Sequence, residues 1–194
     1  LFDENGEKSA DFDAVLTVDG AYKAADFINF CDAYDIPVLS LTNVKGYAAD
    51  VRSEKSIAKA VAKLTYAFAN ANVPKVNVIT GEAYGSAYVT MNSKALGADV
   101  TYAWPDASIG MMDANEAAKI MYADDIAKSA DVQSVISEKA AEYAALQSGV
   151  ESAAARGYVD TIINPEDTRK YVAAAFEMLY TKREDRPDKK HGTV

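Results

Sequence analysis

Tyr84-Gly85-Ser86-Ala87-Tyr88 is the stretch whose residue types and spacing suit chemistry best. Val76, Val78 and Ile79 before it read as a buried strand, 81–85 as a turn, and 86–96 as a helix closed by Gly97. The first backbone N–H groups of a helix have no intrahelical acceptor and point at whatever lies ahead of them. Gly85 and Ser86 are small enough for a ligand to come close to that backbone. Two converging N–H donors are the equipment that holds an enolate or a tetrahedral oxyanion. The same Gly-Ser pair also serves as plain turn chemistry.

Other chemistry is poorly supplied. The chain has one histidine, His191, and one cysteine, Cys31, far apart in sequence, so metal-ligand spacing is absent. A Ser-His-Asp triad would need His191 from a charged tail, and Tyr84 to Tyr88 lacks both flanking glycines of a nucleophile elbow. No phosphate loop or dinucleotide fingerprint occurs. So few acids, bases and nucleophiles suit an enzyme whose cofactor supplies the base while the protein supplies backbone donors and a shaped pocket.

The elements that must position this stretch alternate strand with helix. A strand over 12–18 leads to a helix over 20–34, whose Ala24, Phe27, Ile28 and Cys31 form one buried stripe. A short strand over 36–41 begins with Pro37. A loop over 43–52 and a helix marked by Ile57, Val61, Leu64 and Phe68 follow. Beyond Gly97 come a strand over 99–104, a turn that extends again near Ile109, and alanine-rich helices over 115–122 and 131–146. A short helix, an Arg156-Gly157-Tyr158 cap, a strand over 159–163 and an amphipathic helix over 168–180 complete the order. That alternation predicts an α/β fold with a mainly parallel sheet and right-handed crossovers. Ligands in such folds sit at the carboxyl ends of the strands, which singles out the loops 42–47, 81–86 and 108–113.

Composition narrows the class. The 194 residues, 49% hydrophobic and 25% charged, suit a single domain with its own core, carrying a surface arm over 1–12 and an extended tail over 181–194. A net charge of −9 argues against nucleic acid as a partner. No apolar run approaches the roughly 20 residues of a membrane span, and the lone Cys31 suits a reducing compartment, so a cytoplasmic location is expected. Leu1 is not a start methionine, which implies a longer reading frame or a trimmed product.

Seven blocks carry a family resemblance: FCDAYDIP at 30–37, LTYAFA at 64–69, VPKV at 73–76, AYGSAY at 83–88, YAWP at 102–105, RGYVD at 156–160 and KKHG at 189–192. In this order they resemble the carboxyl-terminal half of the biotin-dependent acyl-CoA carboxyltransferases, a group that includes propionyl-CoA carboxylase beta subunits. The resemblance implies a crotonase-type fold of stacked strand-helix turns. It implies a partner domain of amino-terminal type, a biotin carrier protein and a homo- or hetero-oligomer, with a coenzyme A thioester as substrate. The family's Tyr-Gly-Gly-Ala-Tyr motif falls on Tyr84 to Tyr88. Its oxyanion donors are then the N–H groups of Ser86 and Ala87, reached past Gly85. Tyr84, Gly46, Tyr47, Asp113 and Ala114 fall on biotin-binding positions, and Tyr88 and Val89 on the acyl pocket.

The chain departs from that family pattern at several points. Ser86 replaces a glycine but keeps the N–H. Asn43-Val44-Lys45-Gly46-Tyr47 stands for Asp-x-Pro-Gly-Phe, Lys59-Ala60-Val61 for Arg-His-Gly, and Met112-Asp113-Ala114 for Met-Gly-Ala. The resemblance therefore implies carboxyl transfer between carboxybiotin and a short acyl-CoA, in the carboxylase or decarboxylase direction. A catalytically impaired structural subunit is the alternative, motivated by Lys45, Ala60 and Asp113. A serine hydrolase built on Ser86 is a third reading, and it needs a base the sequence does not offer. Taken singly, Asp113 reads as a helix cap, Lys45 as a solvated lysine, Arg156 as a helix-end charge and Trp104 as structural.

Overall fold

The computed structural model describes residues 14–129 and 131–184. The arm expected over 1–12 and the block at 189–192 lie outside the described residues.

One long strand is the spine. β4 (Lys75–Tyr84) pairs in parallel with β2 (Val38–Val44) on one side and with β5 (Val100–Ala103) on the other. β5 in turn pairs with β7 (Thr161–Ile162), giving the order β2-β4-β5-β7. Beyond Ile79 the spine keeps β2 through Val44 and Ala83 but exchanges β5 for β6 (Ser108–Gly110), the fifth strand of the sheet, which pairs with Glu82 to Tyr84. The register slips between Thr42 and Val44 on β2, which face Ile79 and Ala83 on β4. The slip is held by Asn43, whose Oδ1 accepts the Glu82 N–H at 3.0 Å. Gly81 is required beside it, because a Cβ there would meet Asn43 Oδ1 at 2.7 Å. A separate pair, β1 (Val15–Leu16) and β3 (Gly46–Tyr47), is also parallel.

Each sheet face is covered differently. The inner face lies under α2 (Val51–Asn70), whose Ala60, Leu64, Ala67 and Phe68 are buried, with α1 (Val18–Ala33) packed on α2. Capping starts both helices: Thr17 Oγ1 accepts from the Gly20 N–H, and the Asp50 carboxylate accepts from the N–H groups of Arg52 and Ser53. Those Ser53 and Arg52 bonds hold the Asp50 carboxyl below its usual range. Buried Lys75 reaches the other end of α2, its Nζ donating to the Phe68 carbonyl at 2.7 Å, where the helix dipole favours a cation. The outer face carries Val76, Val78 and Tyr102 under Ala175 of α8 (Thr168–Leu179), and Trp104 Nε1 donates to Thr168 Oγ1 there. The outward Leu39 and Leu41 of the edge strand β2 stay exposed.

Several expectations need correction. The stripe of α1 is Val18, Ala21, Ala25, Ile28 and Cys31, with Phe27 pointing to solvent at 60% exposure. The phase is set by the small Ala21 and Ala25, which let α1 approach α2 closely. The loops expected at 42–47 and 81–86 are largely strand, because the β4 spine continues through the Asn43 slip instead of turning. The helix expected over 86–96 stops early: α3 is Gly85–Thr90, and a 3-10 turn, Lys94–Leu96, follows before Gly97 at φ 104°. Thr90 Oγ1 and Ser93 Oγ bond back to the carbonyls of Ser86 and Val89, competing with the helical ladder, and Asn92 turns left-handed at φ 58°. The helix expected over 131–146 is α6 (Val132–Tyr143), running into a π-turn, Ala144–Ser148.

The remaining helices are α4 (Ala114–Met121), α5 (Ala123–Lys128), which with α4 packs on α6, and α7 (Val150–Ala155), which lies against β6. Among the described residues, no helix is long and apolar enough to cross a membrane.

Candidate functional site

The spine strand delivers the chain to the site. β4 hands over to α3 with no loop residue between Tyr84 and Gly85, so the first N–H groups of α3 face out at the carboxyl end of the sheet. Gly85 makes the corner in the left-handed region at φ 59°. A Cβ there would also sit 3.0 Å from the Met111 carbonyl, so a side chain at this corner is excluded twice.

A pocket of about 390 Å³ opens in front of this corner. One wall is α3, through Gly85, Ser86, Tyr88 and Val89; the facing wall is Ile109, Gly110 and Met111. Ala153, Arg156 and Tyr158, at the end of α7, close the third side. The walls hold together through a relay: Tyr84 Oη donates to Ser108 Oγ at 2.9 Å, and Ser108 Oγ donates to the Ser148 carbonyl at 3.4 Å. Burial pushes the Tyr84 phenol up, against the opposing effect of the Ser108 bond, so it stays a neutral donor. Arg156 is the one charged residue among those lining the pocket, and it caps α7 while bonding the Gln147 side chain.

The expected site residues divide by position. Gly85, Ser86, Tyr88 and Val89 line the pocket, with Ser86 exposed and Val89 40% exposed at its rim. Tyr84 and Ala87 lie behind it, Ala87 with its methyl in the core. Gly46 and Tyr47 form β3, which packs on α3 without lining the pocket, with Tyr47 against the core. Asp113 caps α4, its carboxylate accepting the Asn115 N–H at 2.9 Å, and Ala114 is the first residue of that helix. Lys45 is paired with Glu82 at 3.2 Å. Ala153 and Tyr158 escape a reading of the sequence as pocket residues, although the RGYVD block marks the segment.

The chemistry on offer is donor-rich. Backbone N–H groups, a guanidinium and apolar walls with no carboxylate suit a flat, uncharged or anionic ring carrying an oxygen acceptor. Among the described residues no group of His, Cys, Asp and Glu could hold a metal ion.

A model of the carboxyl transferase domain family matches residues 8–194. The putative propionyl-CoA carboxylase beta chain of Bacillus subtilis (strain 168) is 50% identical over 180 residues, 92% of this chain and 36% of that protein. The methylmalonyl-CoA carboxyltransferase 12S subunit of Propionibacterium freudenreichii subsp. shermanii is 43% identical over 178 residues, 91% of this chain and 34% of its own. The chain thus spans about a third of the length of the curated relatives it matches. Among solved structures, the transcarboxylase 12S hexamer with methylmalonyl-coenzyme A and methylmalonic acid bound matches with a TM-score of 0.87. It is 42% identical, over 92% of this chain and 35% of its own. The beta subunit of P. aeruginosa geranyl-CoA carboxylase matches at 0.78 with 27% identity, over 92% of this chain and 35% of its own.

Proposed function

This chain belongs to the carboxyl transferase family and has its crotonase-like α/β fold, and from that premise we propose that it is the biotin-facing part of an acyl-CoA carboxyltransferase. It moves a carboxyl group between carboxybiotin and a short acyl-CoA. The observation that carries this reading is the corner at Gly85. It brings the open end of α3 into an apolar pocket of about 390 Å³ with no acidic residue among its lining.

Bound there, carboxybiotin supplies the carboxyl group and, once relieved of it, a base for the α-proton of the thioester. The chain's own contribution is placement and charge. The N–H groups of Ser86 and Ala87 hold an oxygen that gains negative charge as the carboxyl group leaves, and donors fixed by the fold need no reorganisation. Val89, Ile109 and Met111 give the reacting face apolar walls. Gly46, Tyr47, Tyr84, Asp113 and Ala114 support α3 and the facing wall from behind.

The impaired-subunit alternative draws on Lys45, Ala60 and Asp113. None of the three lines the pocket, and each has a structural role of its own. Lys45 pairs with Glu82, Ala60 sits between packed helices, and Asp113 caps α4. The relatives' names include a carboxylase, a carboxyltransferase and a decarboxylase. One such site serves either direction, because the same donors stabilise the charge both ways.

The chain works with an amino-terminal-type carboxyltransferase domain that holds the acyl-CoA, in an oligomer served by a biotin carrier protein. The test is reconstitution with that partner domain. Carboxyl transfer from carboxybiotin to propionyl-CoA is expected from the complex and not from the chain alone. A complex that binds biotin yet transfers nothing would overturn the activity, and transfer by the isolated chain would overturn the need for a partner.

A further inference from the structure

A polar rung crosses the inner face of the sheet where an apolar one would pack more simply. Ser40, Asn77 and Thr101 are register partners on β2, β4 and β5, and all three are buried. The turn that ends α3 sits on this rung. Its Asn92, also buried, donates from Nδ2 to the Val76 carbonyl at 3.4 Å. Two residues along β2, Thr42 Oγ1 lies 2.8 Å from Asn77 Oδ1 and 3.3 Å from the Met91 carbonyl.

Three atoms of this cluster are sealed from solvent without a hydrogen-bond partner in the protein: Asn77 Nδ2, Asn92 Oδ1 and Thr101 Oγ1. Each alone would carry the full desolvation penalty of an unmade bond. Together they are complementary, since one is a donor, one an acceptor and one a hydroxyl that serves as either. No charged group belongs to the set, which disfavours an ion. A water molecule accepts from Asn77 Nδ2, donates to Asn92 Oδ1 and satisfies Thr101 in either sense.

We propose that Asn77, Asn92 and Thr101 bind one buried water that ties the turn after α3 to the sheet, making Asn77 and Thr101 positioning residues for the amides at the start of α3. α3 is only six residues long, so the way its far end is held sets where its near end points. Two ties hold that far end, Asn92 to the Val76 carbonyl and the water, with the Thr42 hydroxyl proton, given mainly to Asn77 Oδ1, only weakly shared with the Met91 carbonyl. The effect on rate rests on the proposed carboxyl transfer; the water site does not.

Two experiments test the proposal without needing activity. Crystals of the full chain that resolve ordered solvent are expected to show one water within hydrogen-bond distance of all three atoms. Asn77 Nδ2 bonded directly to Asn92 Oδ1, with no water between, would overturn the site. Amide hydrogen exchange then compares Thr101→Val with Thr101→Ser. The valine variant is expected to exchange residues 88–91 about tenfold faster relative to β4, and the serine variant to restore protection. Equal loosening of β4 and α3, or a serine variant that behaves like valine, would overturn the positioning role. If the valine variant does not fold, the crystallographic result still decides the site. In the reconstituted complex, a lower kcat with unchanged acyl-CoA KM is expected for Thr101→Val.

Discussion

Of two concavities formed by the described residues, the larger is the less promising. The larger, about 600 Å³, lies between the start of β2 and the end of α8 and is lined by Asp35, Lys182, Arg183 and Glu184 among others. Its central cation is already committed: Lys182 Nζ meets Asp99 at 2.9 Å, the Val73 carbonyl at 3.3 Å and Glu184 at 3.5 Å. The smaller pocket has apolar walls and backbone donors that a helix start leaves without intrahelical acceptors. Volume therefore says little about function here. Donors held open by the fold, beside apolar walls, are what catalysis can draw on.

The sharpest way to break this comparison is to remove one donor. Proline at 86 deletes the N–H while keeping a backbone shape that the first turn of a helix accepts. Ser86→Pro is expected to lower carboxyl transfer in the reconstituted complex about a hundredfold, or about 3 kcal/mol on the barrier. Ser86→Ala, which keeps the N–H, should retain activity. Circular dichroism checks that both variants fold. Should Ser86→Ala fall as far as Ser86→Pro, the hydroxyl is the working group and the hydrolase reading gains.

The opposite result is expected in the larger pocket. Lys182→Met keeps the apolar stem and removes the charge from a pair whose side chains are 13% and 18% exposed. Asp99 retains the Lys75 N–H as a donor at 2.8 Å, which limits the damage. Unfolding in urea is expected to show a loss of about 1 to 3 kcal/mol, with the carboxyl-transfer rate unchanged. A rate loss without a stability loss would show that the larger pocket takes part in function.

How much of this difference the sequence discloses depends on what each feature rests on. The alternation of strand and helix, the buried β4 core and the caps at Asp113 and Gly97 follow from local patterns, and the structure has them. Local pattern also suggests a helix over 86–96, and it fails there because Thr90 and Ser93 spend their hydroxyls on carbonyls one turn back. The phase of α1 is misread because Phe27 outweighs Ala21 and Ala25 on any hydrophobic count, whereas close packing on α2 selects the small residues. The third wall of the pocket comes from residues 153–158, more than sixty positions after α3. Nothing local brings those segments together. Asn77 is visible as the polar residue inside Val76-Asn77-Val78, and its meaning emerges only when β5 places Thr101 beside it.

A finer probe of the small pocket is Val89, on its rim. At 40% exposure it contributes little to the core, so Val89→Ala should leave stability nearly untouched. If it bounds the space for the acyl chain, trimming it changes selectivity instead. Relative rates with acetyl-, propionyl- and butyryl-CoA are expected to shift toward the longer chains, by up to about tenfold per methylene. An unchanged ratio would remove Val89 from the acyl wall.

The smallest effect belongs to Tyr88, and it separates the pocket's open backbone donors from a buried side-chain hydroxyl in the same wall. Its hydroxyl is buried without a hydrogen-bond partner, and burial, with Tyr158 nearby, pushes the phenol up to about 12 from its ordinary value of 10.0. Below pH 10 the phenol is neutral in both folded and unfolded chains, so its contribution is constant. Between 10 and 12 the unfolded chain ionises first. Stability therefore falls with rising pH, at up to about 1.4 kcal/mol per unit from this group. Tyr88→Phe is expected to remove that component of the slope in urea unfolding curves across this window. At neutral pH the same change sacrifices no protein hydrogen bond, so the shift in stability should stay within about 1 kcal/mol. A larger loss at neutral pH, or a slope identical in Tyr88→Phe, would mean that the hydroxyl has a partner and that the donors of this pocket extend beyond the backbone.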